Sequence, residues 1–67
     1  MRNKVKELRK SQNLTQEQLA DLIGISRQAI NAIEKEKFDP SLPTVFKMAR
    51  LFKITIEELF IYSKWFL

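Results

Sequence analysis

Apolar residues recur along this chain in clusters at three- and four-residue spacing, the period of helices with one buried face. Val5 and Leu8, with the stem of Arg9, predict a first helix over roughly Asn3 to Gln12, which Asn13 breaks. Thr15 predicts an N-cap, and Gln18 three residues on completes a capping box. Leu19, Ala20, Leu22 and Ile23 then form the inner face of a second helix, which stops at Gly24. A glycine directly after an apolar helical run reads as a left-handed C′ residue. Ile25 falls in the turn and Ser26 caps a third helix, with Ala29, Ile30 and Ile33 turned inward and Arg27, Gln28, Asn31 and Lys35 on or near the outer face. Glu36 to Pro40 reads as a loop anchored by Phe38. Ser41 caps a fourth helix that tolerates Pro43 in its first turn, where the amide needs no helical partner; it is expected to pack through Leu42, Val45, Phe46, Ala49 and Phe52. Thr55 and Glu58 make a second capping box, opening a short fifth helix through Ile56, Leu59 and Phe60.

One glycine and two prolines leave few places for tight turns, which favours an all-α fold of five helices. At 67 residues the chain is one domain, and 45% apolar residues exclude a disordered one. A single core of this size supplies only about 3–5 kcal/mol, so close helix packing or self-association has to contribute. Cysteine and histidine are both absent, which removes disulfides, the usual zinc sets, and mechanisms built on a Cys nucleophile or a His base. One glycine cannot build a phosphate-cradling loop. The adjacent Glu57 and Glu58 diverge by about 100° on a helix and cannot face each other as an acid/base pair. No enzyme and no cofactor are expected.

Twelve Lys and Arg against eight Asp and Glu give a net charge of +4 and a pI near 9.7. A balance of this kind suits an anionic partner, nucleic acid or a membrane surface, or serves solubility alone. Arg2, Lys4, Lys6, Arg9 and Lys10 face one acid, Glu7, in the first ten residues. That basic start runs into polar residues instead of an apolar stretch, and no window approaches the ~20 apolar residues of a membrane span. A cytoplasmic protein without membrane contact is expected.

Residues 16–35 carry the most specific signal: two short helices joined by a tight turn at Gly24. Ala20 keeps the helices close, Gly24 supplies positive φ, and Ile25, Ile30 and Ile33 close the wedge between them. This is the arrangement of a helix-turn-helix, whose second helix offers its outer face to a DNA major groove. The runs Thr15-Gln16-Glu17-Gln18-Leu19-Ala20, Gly24-Ile25-Ser26-Arg27-Gln28-Ala29-Ile30-Asn31 and Ile33-Glu34 resemble the phage-repressor/Cro-like (Xre-type) DNA-binding domains. Asp39-Pro40-Ser41-Leu42 and Thr55-Ile56-Glu57-Glu58-Leu59-Phe60 match that family's fourth and fifth helix openings, so the resemblance runs from Val5 to about Phe60.

The resemblance implies a compact lambda-repressor-like domain over residues 1–60 and a sequence-specific regulator of transcription, a repressor, bound to double-stranded DNA. It implies that Gln16 contacts a phosphate and braces the recognition helix, and that Ser26 caps that helix close to the backbone. Gln28, Arg27 and Asn31 are then the readers, since Gln and Asn suit adenine and Arg suits guanine, with phosphate the other target for Arg27 and Asn31. Ala32 stands where some relatives carry a longer base-reading side chain and offers at most a methyl contact. Lys35, Lys37, Lys10 and Arg9 suit phosphates, while Glu34 resembles a position that serves structure by pairing with a base such as Arg9.

The segment 61–67 is unusually apolar for a terminus. Phe60, Tyr62, Trp65, Phe66 and Leu67 either fold back on their own domain or pair with a second copy, as a short β-strand or a helical extension. The resemblance favours a homodimer, which predicts a palindromic operator with half-sites one turn, ~34 Å, apart. No small-molecule ligand is evident, and the length leaves no room for a sensing domain. Two other functions fit: an antitoxin-like domain that binds a toxin as well as DNA, and a protein- or membrane-interaction module that has lost DNA binding.

Overall fold

The computed structural model describes residues 1–61 of the chain as five helices and a two-stranded antiparallel ribbon. The order is β1 (Arg2–Asn3), α1 (Val5–Ser11), α2 (Gln16–Ile23), α3 (Arg27–Glu34), α4 (Leu42–Phe52), α5 (Ile56–Leu59) and β2 (Phe60–Ile61). The helix starts follow local chemistry. Thr15 and Thr55 each accept from the backbone N–H three residues on, and the side chains of Gln18 and Glu58 return the bond to the cap's own N–H. Ser26 and Ser41 cap α3 and α4, with Pro43 in the first turn of α4. The Glu58 carboxyl sits below its ordinary pKa, because the Thr55 N–H and hydroxyl both donate to it. That cap is complete above the carboxylate range and is lost as pH falls through the lowered value.

The first predicted helix is two residues shorter at its start. Asn3 belongs to β1, which pairs Asn3 with Phe60 and Arg2 with Ile61. The Asn3 carboxamide closes the start of α1 by accepting from the Val5 N–H at 3.1 Å, and donates to the Ile33 carbonyl at 2.9 Å. One polar side chain thus ties the N-terminal strand to the last turn of α3. At the other end of α1, Asn13 has φ 58°, the left-handed conformation that Asn tolerates.

Val5, Leu19, Ala20, Ile23, Ile30, Ile33, Met48, Ala49, Phe52, Leu59 and Phe60 form the core. Several expectations are corrected here. Leu22 (59% exposed) and Leu42 (65%) point away from the core, and Phe46 and the loop residue Phe38 are half-exposed. The inner face of α4 is Val45, Met48, Ala49 and Phe52, because its apolar residues, Leu51 included, span about 220° of the helix at 100° per residue, wider than one packing face. Phe60 is buried within this one chain and is not free for a partner. Tyr62, Trp65, Phe66 and Leu67 lie outside the described residues.

Gly24 has φ +88° and closes α2, its N–H donating to the Ala20 carbonyl at 2.7 Å. A Cβ built there would meet only the Lys47 Nζ, at 4.0 Å, so the glycine is required by conformation and not by space. Gly24→Ala is therefore expected to keep the fold and lose about 1–2 kcal/mol, with Gly24→Asn losing less. Urea denaturation midpoints check the order.

Candidate nucleic-acid interface

α2 and α3 pack against each other across the Gly24 turn, with Leu19, Ala20, Ile23, Ile30 and Ile33 buried between them and the rest of the core. Because the turns of α3 that carry Ile30 and Ile33 face inward, the helical period places Arg27 and Gln28 outward on the first turn and Asn31 outward on the next. Arg27 and Gln28 are exposed and Asn31 is half-buried. The Ser26 hydroxyl accepts from the Ala29 N–H at 3.0 Å, which leaves the amides of Arg27 and Gln28 as free donors at the positive end of the helix. Lys35 and Lys37 are exposed just past the C-terminal end of α3, and Lys10 is exposed at the end of α1.

Arg9 has a different place from the one expected beside phosphate. Its side chain is 10% exposed and that of its partner, Glu34, only 3%. Nε donates to Glu34 Oε2 at 2.7 Å, Nη2 to Oε1 at 3.2 Å, and Nη1 to the Leu14 carbonyl at 2.8 Å. All three guanidinium nitrogens are engaged inside the protein. The forked geometry joins α1 to α3 and holds the α1–α2 connection in the same grip. Glu34 accordingly has the structural role the resemblance implies.

Gln16, at the start of α2, donates from Nε2 to Glu34 Oε1 at 3.1 Å and accepts at Oε1 from Asn31 Nδ2 at 3.4 Å. The structure thus brings Arg9, Glu34, Gln16 and Asn31 into one chain of contacts. Lys10, Arg27, Gln28, Lys35 and Lys37 are exposed and take no part in it. Sequence reasoning missed the Gln16–Asn31 contact, since no local pattern links residues 15 apart. It also missed Asn3, for which the only signal was an Asn two residues before the first apolar position.

Among the described residues, no helix is long and apolar enough to cross a membrane. A family model described as helix-turn-helix matches residues 5–59. An uncharacterised HTH-type transcriptional regulator of Methanocaldococcus jannaschii is 56% identical over 63 residues, which cover 94% of this chain and 96% of the relative. The uncharacterised HTH-type transcriptional regulator YgzD of Bacillus subtilis is 42% identical over 60 residues, covering 90% and 91%. The crystal structure of the restriction-modification controller protein C.AhdI from Aeromonas hydrophila superposes with a TM-score of 0.75 at 35% identity, over 85% of this chain and 86% of that one. Relatives matched over nearly their full length are regulators of transcription, and the matched segment contains the whole α2–turn–α3 unit: this chain belongs to the helix-turn-helix family of DNA-binding transcriptional regulators.

Proposed function

We propose that the protein is a sequence-specific repressor that binds a palindromic operator as a homodimer, each copy setting α3 into a major groove. The observation that carries this reading is the outer face of α3, where Arg27, Gln28 and Asn31 stand on a helix pinned from behind by a buried ion pair. Gln28 reads adenine through its carboxamide, Arg27 reads guanine or holds a phosphate, and the free amides after Ser26 meet the backbone. Lys10, Lys35 and Lys37 supply phosphate contacts. Leu42 and Phe46, apolar and exposed on α4, support association of two copies, as does the small size of the core. The Tyr62–Leu67 segment remains the candidate to join them.

Selection from random duplex DNA tests the reading and should return a palindrome with half-sites about one helical turn apart. Gln28→Ala is expected to lower the preference for the selected site over random DNA by about 5- to 150-fold for each half-site. Lys37→Ala should weaken binding to both alike. If Gln28→Ala leaves the ratio unchanged, another residue is the reader. Sedimentation of Trp65→Ser beside the wild type tests the tail: a monomer supports its role in the dimer, and an unchanged assembly removes it.

A further inference from the structure

The contacts from Arg9 to Asn31 run in one chemical direction. A guanidinium only donates and a carboxylate only accepts, so Glu34 Oε1, already taking Arg9 Nη2 at 3.2 Å, can receive only the amino side of Gln16, 3.1 Å away. This fixes which way the Gln16 carboxamide is turned, and its carbonyl oxygen then faces Asn31. Of the two ends of the Asn31 carboxamide only the amino group can donate to that oxygen, and it stands at 3.4 Å. Asn31 is left with its Oδ1 and one Nδ2 hydrogen, an acceptor and a donor on the same carboxamide.

We infer that Glu34, which does not face DNA, sets the base preference of Asn31 through Gln16, making Asn31 a reader of adenine and not only a phosphate contact. Adenine offers an N6 donor and an N7 acceptor in the major groove, matching the free edge of Asn31. Guanine offers acceptors at both N7 and O6 and leaves Oδ1 without a donor; cytosine meets Oδ1 alone. Glu34 and Gln16 are positioning residues here. The inference rests on the reading that α3 enters the major groove.

Two measurements separate this inference from that reading. In the free protein, the two Asn31 Nδ2 hydrogens should give well-separated NMR signals that move towards free-amide positions in Gln16→Ala. Unmoved signals overturn the inference and leave the groove reading intact. With DNA, binding is compared over duplexes that vary the base pair to which Asn31→Ala becomes indifferent. The wild type should prefer adenine there by about 5- to 150-fold. Gln16→Ala should lose most of that preference, and adding Gln16→Ala to Asn31→Ala should change it no further. A phosphate role for Gln16 predicts a different result, equal weakening on every duplex with the adenine preference kept, and that result overturns the inference, as does a preference for guanine. Glu34→Gln should also relax the preference, since a second amide can turn either edge to Gln16. Because it also breaks a buried ion pair, Gln16→Ala, an exchange to the best helix former, keeps the test open should that variant fail to fold. If the wild type selects no duplex at all, the groove reading and this inference fall together.

Discussion

Arg9→Ala should unfold the domain or lower its melting temperature by about 12–40 °C. Removing one partner of a buried pair costs about 3–5 kcal/mol, and each kcal/mol moves the midpoint of a domain this small by about 4–8 °C. The loss comes from what is left behind: a Glu34 carboxylate 3% exposed without its cation, and a Leu14 carbonyl without its donor. It is large against a core expected to yield only about 3–5 kcal/mol in all. Lys10→Ala, one residue on and exposed, should stay within about 0.5 kcal/mol of the wild type. Circular dichroism melts of the two variants check the contrast. A melt for Arg9→Ala within a few degrees of the wild type would show that the forked pair is not what joins α1 to α3.

The second large effect is on DNA affinity. Raising salt from 50 to 200 mM is expected to weaken binding to the selected operator by about 10³- to 10⁵-fold, the range for six to ten phosphate contacts. Two copies of Lys10, Lys35, Lys37 and Arg27, with the amides that open α3, can supply contacts on that order. Lys35→Ala should flatten the slope of log affinity against log salt by about 1 for each copy on the DNA. Fluorescence anisotropy across a salt series measures both slopes. A slope unchanged in Lys35→Ala removes that lysine from the interface. A nearly salt-independent affinity for the wild type would reject the phosphate-contact account as a whole.

The helix starts were legible because capping is a local exchange of hydrogen bonds. Thr15 with Gln18, and Thr55 with Glu58, satisfy each other within four residues, so the sequence alone names the partners. Gly24 was legible for the same reason: positive φ at the end of an apolar run is a one-residue requirement. The inner face of α4 was less so. Leu42, Phe46 and Met48 are all apolar, and which of them turns inward depends on the neighbours that α4 meets, not on its own period. Phe60 shows the same limit. As an apolar residue at the end of a short helix it reads equally as core or as partner surface, and only its pairing with Asn3, far away in sequence, decides for the core.

The five helices, the Gly24 turn and the outward placement of Arg27 and Gln28 are readable along the chain, because each follows from the helical period and contacts within a few residues. The resemblance anticipates a partner for Arg9 and a bracing role for Gln16, but the burial of that pair, its hold on the Leu14 carbonyl and the Gln16–Asn31 contact arise only when α1, α2 and α3 meet. A surface arginine and a bridging one look the same along a helix, and the difference arises when Glu34 from α3 closes on Arg9 from α1, 25 residues away. Once that pair is buried, its acceptor-only carboxylate orients the Gln16 carboxamide that donates to it. A polarity of this kind is a property of the assembled side chains, and no segment of the chain holds it alone.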